Sequence, residues 1–315
     1  MSPPVLSVGL PVYNGAEYLA AAIESILAQD FTDFELIISD NGSTDATPEI
    51  CRRFAAADAR VRFHRVEVNR GLVWNFNRVF ELARSEFFKW SAHDDLCHPP
   101  MLRRCMEVWR QAPATVALVY PQSYMIDGSG AVLRVFDAGL ATEAPEPWRR
   151  LGWVLERLTY VNPIYGVFRR SVLARTRLHE SFQGSDYVLL AEVAMLGGIR
   201  EIPEVLFSRR LHEKSTMKMY TTPQQVAELY DPAKAGRRQW LTVHQRLFLE
   251  YLRSVWRMPL SPGARLRCAG AVCRHHGWVR IKRLLAAKRR NLARRLGMRP
   301  PTAVPTPGPP SAFES

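Results

Sequence analysis

The stretch VLSVGLPVYNGAEYLAAAIESILAQDFTDFELIISDNGSTD, residues 5–45, decides the fold. It contains an apolar run at 5–12, an amphipathic segment at 16–29 and a second apolar run at 34–39. Short apolar runs are typical of buried strands, and the segment between them has the length and spacing of a helix. Two strands joined by a helix pair in parallel, so the stretch predicts a parallel sheet with helices on its faces.

The same alternation continues along the chain. Further strands are predicted at 61–66, 86–92 and 116–120, and further helices at 45–57, 72–84 and 100–111. Beyond these come a hairpin around Asp127-Gly128, a strand and helix start at 163–173, a helix at 184–197 and a strand at 205–216. The sequence therefore predicts an α/β fold with a mostly parallel sheet.

Charge is distributed very unevenly. The net charge is +13 over 315 residues, but residues 1–236 have 26 Lys and Arg against 28 Asp and Glu. Residues 237–299 have 17 basic residues and only Glu250 as an acid. The patterns predict a globular domain at 1–220, a basic helical C-terminal region at 221–298 and a disordered proline-rich tail at 299–315.

The sequence also indicates where the protein works. No apolar run approaches the roughly 18 residues that span a bilayer, and the N-terminus lacks the pattern of a secretory signal. Five cysteines form an odd, sparse set, which favours a reduced chain. We expect a cytoplasmic protein, with peripheral binding to the inner face of the plasma membrane as an option.

Polar residues follow each of the first four predicted strands. They are Pro11, Tyr13 and Asn14, then Asp40 and Asn41, then Asn69, Gly71 and Asn75, and finally Asp94 and Asp95. Ligands of parallel sheets bind at the carboxyl ends of the strands, so one crevice is expected to collect these side chains. The alternative is that Asn, Asp and Gly only form turns there.

Asp94 and Asp95 follow a buried strand directly. Two adjacent carboxylates repel each other, and each costs free energy to desolvate, so a positive charge is expected nearby. Mg²⁺ or Mn²⁺ would fit, because such ions are bound by one or two carboxylates together with substrate phosphates. The alternative is two surface aspartates at the start of the next helix.

The blocks GLPVYNGAEYLAAAIESILAQDFTDFELIISDNGSTD, NRGLVWNFN and SAHDDLCHPPML resemble family 2 glycosyltransferases, over roughly residues 4–215. The resemblance implies the GT-A fold, with a nucleotide-binding half at 1–120 and an acceptor half at 121–220. It implies a metal-dependent, inverting transfer of a sugar from a nucleotide-diphospho-sugar to a carbohydrate or lipid-linked acceptor. Synthesis of cell-envelope polysaccharide, glycolipid or glycoconjugate is the expected context.

Site residues follow from the resemblance and from the strand ends. The expected nucleotide-sugar contacts are Pro11, Tyr13, Asn14, Glu17, Asp40, Asn41, Ser43, Asn69, Gly71, Asn75 and Asp94. By resemblance, Asp95 binds the metal and diphosphate, His212 completes that site, and Asp186 is the base that takes the acceptor proton. Asp186 could instead only cap its helix, and His212 could be structural. Relatives commonly have a second acid where this chain has Asn41, which leaves the base of the nucleotide open.

Arg209 and Arg210 are both candidates to neutralise phosphate, although on a strand only one is expected to face the crevice. In the basic region, helical spacing predicts an apolar face with Leu241, Leu247, Phe248, Leu252 and Trp256. That region either packs on the domain or lies on an anionic leaflet. Its charge also suits nucleic acid, but no nucleic-acid motif accompanies it, so no such partner is expected.

Two other functions compete with the glycosyltransferase. The first is a sugar nucleotidyltransferase. Such enzymes resemble one another in a Gly-rich, Arg-containing loop after the first strand, whereas the corresponding loop here, PVYNGAEYL, has one glycine and no arginine. A non-catalytic basic protein that binds membrane or nucleic acid would have no use for Asp95 and Asp186.

Overall fold

The computed structural model describes residues 3–213, 222–234 and 241–277. Its first half alternates strands and helices, as predicted. In chain order these are β1 (Leu6–Val12), α1 (Ala16–Leu27), β2 (Phe34–Asp40), α2 (Thr47–Ala57), β3 (Val61–Arg65), α3 (Leu72–Leu82) and β4 (Phe87–Trp90). The four strands are parallel and lie in the order β3-β2-β1-β4.

Burial explains why this half folds as it does. Every residue of β1 and β2 is buried, which is typical of parallel strands covered on both faces. Helix α1 buries Leu19, Ala22, Ile23 and Ile26, the spacing of a single apolar stripe. The strands therefore end at one edge of the sheet with their polar successors side by side.

The second half completes one mixed sheet of nine described strands. Its elements are β5 (Leu96–Cys97), α4 (Met101–Gln111), β6 (Val116–Ile126), β7 (Val132–Phe136), α5 (Pro147–Arg157), a 3₁₀ turn (Asn162–Tyr165), β8 (Val167–Arg169), α6 (Arg170–Leu173), α7 (Ser185–Leu196) and β9 (Gly198–Arg210). The sheet continues from β4 through β8, β6 and β9 to β5, and β7 forms the predicted hairpin with β6.

The two-residue strand β5 matters more than its length suggests. It pairs antiparallel with β9, with Leu96 opposite Ser208 and Cys97 opposite Phe207. This pairing brings the acidic pair that precedes β5 against the end of β9. The sequence did not predict β5, because two residues show no periodicity.

Three helices follow: α8 (Pro223–Tyr230), α9 (Val243–Arg257) and α10 (262–277). Helices α9 and α10 bury Val255, Met258, Cys268 and Val272 in one cluster with α5 and α7. The described part of the basic region thus packs on the domain, while the predicted boundary at 220/221 stays a prediction. Residues 278–298 and the tail at 299–315 lie outside the described residues.

The predicted apolar face of α9 is partly wrong. Leu247 is buried, but Leu241 and Trp256 are exposed, and Val255, Glu250 and Ser254 are buried instead. The reason is that a buried ion cluster, as well as the spacing of apolar residues, determines which side of α9 faces the domain.

Arg177 forms the centre of that cluster. Its Nε donates to Glu192 Oε1 of α7 at 2.8 Å, its Nη1 to Glu250 Oε2 of α9 at 2.8 Å and its Nη2 to Ser254 Oγ at 2.8 Å. Both glutamates are almost completely buried. The cluster therefore ties α9 to α7: Arg177 neutralises the buried Glu192, and Glu250 pairs with Arg246 and Arg253 as well.

No helix within the described ranges is both long enough and apolar enough to cross a bilayer.

Candidate active site

A cavity of about 490 Å³ opens where β1, β2 and β4 end. Small-molecule sites typically enclose about 300–1,000 Å³, so the volume suits a ligand. We call one side the strand-end wall, formed by Pro11, Tyr13, Asn14, Glu17, Asn41, Asn69 and Asn75. We call the other side the aromatic wall, formed by Tyr160, Ile164, Tyr165, Asp186, Tyr187, Leu229 and Tyr230.

Asn41 is the hub of the strand-end wall. Its Nδ2 donates to Asn69 Oδ1 at 2.8 Å and to the Gly71 carbonyl at 3.1 Å, and its Oδ1 accepts from the Arg70 N–H at 3.0 Å. A carboxylate offers acceptors only, so it could not make the first two bonds. The two donated bonds therefore explain why Asn, and not a second acid, suits position 41 in this chain.

Asn14 and Asn75 tie the same wall together. The backbone N–H of Asn14 donates to Ser43 Oγ at 2.8 Å, and its side-chain Oδ1 accepts from the Thr44 N–H at 2.9 Å. Asn75 is buried, and its Nδ2 donates to the carbonyls of Val12 and Ser39, which joins the ends of β1 and β2. The loops of this wall are thus held before any ligand arrives.

Asp40, Ser43 and Gly71 were predicted to contact the nucleotide sugar, but the structure places all three behind the wall. Asp40 is completely buried; its Oδ1 accepts from the Ser43 N–H at 2.9 Å, and its Oδ2 lies 3.5 Å from Arg65 Nε. Gly71 has φ +91°, and a Cβ there would meet the Tyr230 carbonyl oxygen at 2.6 Å. These residues shape the loops rather than face the cavity.

The acidic pair faces the cavity between the two walls. Asp95 is only 3 % exposed, and its Oδ1 accepts from the Arg210 N–H at 2.8 Å. Asp94 Oδ2 lies 3.0 Å from His212 Nε2. Burial, with the neighbouring charge of Asp94, raises the pKa of Asp95 to about 8. Ionising both carboxylates is therefore costly unless a cation lies beside the pair.

The residues present fit a divalent ion. Across the described ranges, no group of three or more His, Cys, Asp or Glu side chains is arranged to hold a metal. Mg²⁺ nevertheless needs only one or two protein carboxylates when substrate phosphates supply further oxygens. Asp94 and Asp95 offer such oxygens, a cation would offset the burial and the Asp94 charge that raise the pKa of Asp95, and His212 lies against Asp94.

Arg209 interacts electrostatically with the acidic pair and with Asp186. Burial lowers the pKa of Arg209, but the neighbouring Tyr165, Asp95, Asp186 and Asp94 raise it by more. The pKa is therefore raised overall, and the guanidinium stays charged. Its Nη1 donates to Asn162 Oδ1 at 2.6 Å, which fixes its direction. Burial raises the pKa of Asp186 above its usual value, although the Tyr187 N–H and Arg209 both lower it.

Both arginines at the end of β9 line the cavity, so the expectation that only one would face it is wrong. The strand ends at Arg210, and that side chain turns back toward the preceding loops. Its Nε donates to the Asp94 carbonyl at 2.9 Å and its Nη1 to the Gly128 carbonyl at 3.0 Å. Arg210 therefore braces the acidic loop, and Arg209 is held by Asn162.

The sequence reasoning missed the tyrosines of the aromatic wall. Tyr160 precedes the 3₁₀ turn, Tyr165 is its last residue, Tyr187 is in α7 and Tyr230 ends α8. Tyr187 OH donates to the Thr159 carbonyl at 2.7 Å. No local pattern marks these residues, because they meet only after segments far apart in the chain have packed.

Solved structures with the same architecture identify the fold. S. aureus TarS residues 1–349 aligns with a TM-score of 0.60 at 16% identity, over 86% of this chain and 71% of that chain. Its complex with UDP-GlcNAc gives 0.60 at 15% identity, over 86% and 72%. A mannosyltransferase from Pyrobaculum calidifontis with GDP-Man and Mn²⁺ gives 0.51 at 19% identity, over 91% and 81%. The fold is the GT-A fold, as predicted.

Sequence comparison then identifies the family. The family model described as glycosyl transferase family 2 matches residues 7–173, more than half of the chain. The chain belongs to this family.

Two curated relatives cover much of the chain. Chondroitin synthase of Escherichia coli is 28% identical over 221 residues, which are 68% of this chain and 30% of that protein. The succinoglycan biosynthesis protein ExoO of Rhizobium meliloti is 31% identical over 214 residues, 63% of this chain and 60% of that protein. The chain thus spans only part of the length of either relative.

Proposed function

We propose that this glycosyltransferase moves a sugar from a nucleotide-diphospho-sugar to an acceptor hydroxyl, with inversion at the anomeric carbon. The observation that carries the proposal is the position of Arg209, whose charge interacts with Asp186 as well as with Asp94 and Asp95. A candidate base and a candidate phosphate site thus line the same cavity, with a fixed cation between them.

The strand-end wall is the proposed nucleotide site. Its amide side chains, held by one another, present donors and acceptors of the kind that recognise a base and a ribose. Tyr13 is 39 % exposed and offers a ring for stacking. Support also comes from the structural relatives, which were solved with UDP-GlcNAc and with GDP-Man.

The aromatic wall is the proposed acceptor site. Tyrosine side chains combine apolar ring faces with a hydroxyl, and sugars present apolar C–H faces beside hydroxyl groups. The names of the curated relatives, a chondroitin synthase and a succinoglycan biosynthesis protein, favour an acceptor used in polysaccharide synthesis.

In the proposed reaction the acceptor hydroxyl gives its proton to the carboxylate of Asp186. The acceptor oxygen bonds to the anomeric carbon while the bond from that carbon to the diphosphate oxygen breaks, and the electron pair leaves with the nucleoside diphosphate. Arg209 stabilises the charge that grows on the departing oxygen. A Mg²⁺ or Mn²⁺ ion held by Asp95, with Asp94 and His212 beside it, would neutralise the diphosphate.

The test is a thermal-shift screen of the whole chain with UDP, GDP, CDP and dTDP and their sugars, with and without Mn²⁺. A ligand that binds only the folded state raises the melting temperature, so one nucleotide is expected to stabilise the protein, and Mn²⁺ is expected to increase the effect. Asp95→Asn is the matched variant and should lose the metal-dependent part. A protein that responds to no nucleotide would contradict the proposal.

A further inference from the structure

The outer side of α9 and α10 carries arginines beside exposed apolar side chains. We call it the basic face; its residues are Leu249, Arg253, Trp256, Leu266, Arg267 and Arg274. Trp256 is 58 % exposed and Leu266 is 65 % exposed, which is unusual for such large apolar groups. Within the described residues 241–277, Glu250 is the only acid; it is buried and pairs with Arg177, Arg246 and Arg253, so Arg267 and Arg274 are the arginines of this face that have no acid partner in 241–277.

Helix geometry places these side chains on one surface. In α9, residues 249, 253 and 256 follow a helical repeat, so they lie on the same side. The opposite sides of α9 and α10 bury Val255, Met258, Cys268 and Val272 against α5 and α7. Residues 258–261 join the two helices, and Trp256, Leu266, Arg267 and Arg274 are exposed on them, outside this buried cluster.

Charge continues beyond the described residues. By sequence, residues 278–299 add nine Lys and Arg and no acid. A surface of positive charge alone would suit phosphate on any polymer. Exposed Trp and Leu between the arginines favour a different ligand, one that presents anionic groups next to an apolar layer. Trp is enriched at the boundary between lipid and water, which has this composition.

We propose that the basic face binds the surface of a membrane that contains anionic lipids. Each arginine near such a surface attracts the headgroups, and the apolar side chains enter the boundary between headgroups and acyl chains. The same helix α9 reaches the cavity, because Leu247 packs against Gly184, two residues before Asp186. Bound in this way, the enzyme would meet acceptors carried on lipids; that consequence rests on the proposed function, whereas the binding itself does not.

The experiment is flotation of the full chain with vesicles of phosphatidylcholine alone and of phosphatidylcholine mixed with phosphatidylglycerol. We expect binding to the mixed vesicles only, weaker at high salt. Arg267→Glu with Arg274→Glu should lower the partition coefficient by about tenfold or more. Trp256→Ser with Leu266→Ser should lower binding as well, while retaining more of its salt dependence.

The matched control is Arg52→Glu with Arg110→Glu, which makes the same charge change at exposed positions of α2 and α4. It should bind mixed vesicles nearly as well as the parent chain, and a thermal melt of each variant verifies folding. Equal loss in control and test variants, full binding by both test variants, or no binding by the parent would overturn the proposal. Preference for a single-stranded oligonucleotide over mixed vesicles would also overturn it. None of these assays requires donor or transfer.

Discussion

The two walls of the cavity are built in opposite ways. The strand-end wall is a set of short loops after consecutive strands, and its side chains are fixed by hydrogen bonds to one another. The aromatic wall brings together the 3₁₀ turn, the start of α7 and the end of α8. Its key carboxylate, Asp186, accepts from the Tyr187 N–H at 3.0 Å.

The difference shows how one fold can hold a constant site beside a variable one. Loops that brace one another can receive the same class of donor without rearrangement. A wall assembled from distant segments, and supported by α9 through Arg177, can change its shape when any of those segments changes. We therefore expect substitutions on the two walls to have separable effects on donor binding and on transfer.

Asp186→Asn should abolish most of the transfer. A positioned general base contributes about 10²–10⁴-fold, so kcat should fall within that range. The measurement is release of nucleoside diphosphate in the presence of acceptor, after the screen has identified the donor. Asp33→Asn, at an exposed position before β2 and outside the cavity lining, is the control and should retain activity. Near-normal transfer by Asp186→Asn would remove Asp186 from the mechanism.

Arg177→Met should lower the free energy of unfolding, because Arg177 joins α7 to α9 behind the aromatic wall. The change leaves Glu192 buried without its cation, which costs about 3–5 kcal/mol, whereas Glu250 keeps Arg246 and Arg253. The free energy of unfolding is measured with urea. Arg175→Met removes the same side chain from an exposed position two residues away and should cost little. Similar free energies of unfolding for the two variants would show that the buried cluster does not stabilise the protein more than an exposed arginine does.

Asn41→Asp should destabilise the strand-end wall by about 1–3 kcal/mol, because a carboxylate would face Asn69 Oδ1 and the Gly71 carbonyl without a proton to donate. Asn69→Asp is the control. Asn69 accepts from Asn41 and from the Gly71 N–H through its Oδ1, and a carboxylate can accept both bonds. Urea melts that rank Asn69→Asp below Asn41→Asp in stability would contradict this account of the wall.

The pH profile should show a smaller effect. Asp186 works as a base only when ionised, and burial raises its pKa above 3.8, so kcat at saturating donor and Mn²⁺, with Asp95 engaged by the ion, should rise with pH through that higher pKa. Arg209 lowers the pKa of Asp186, so Arg209→Met should move the midpoint of this acid limb to higher pH. An unchanged midpoint would mean that Arg209 does not face the base.

The sequence predicted the parts of the molecule that depend on local pattern. The first four strands and their helices have clear periodicity, and the residues after each strand reach one edge because parallel strands must end there. The acidic pair was found for the same reason. Asp40 was predicted as a contact because it ends a strand at the edge where ligands bind. The direction of its side chain depends on contacts with Ser43 and Arg65, and local sequence pattern does not predict those contacts.

The remaining features depend on contacts between distant segments. Strand β5 forms only because β9 is there to pair with it. Trp256 and Val255 are neighbours on a helix with apolar residues on more than one side, and Glu250 must reach Arg177, which turns Val255 inward and Trp256 outward. Tyr160 and Tyr230 share a wall although seventy residues separate them in the sequence.

The division of labour between the walls is tested most directly by donor binding in two variants, Asp186→Asn and Asp95→Asn, measured by calorimetry with Mn²⁺. The account predicts that Asp186→Asn binds the donor nearly as tightly as the parent chain. Asp95→Asn should bind it about tenfold or more weakly, a difference of about 1.4 kcal/mol. Equal weakening in both variants would contradict the account, because the two carboxylates would then serve the same ligand in the same way.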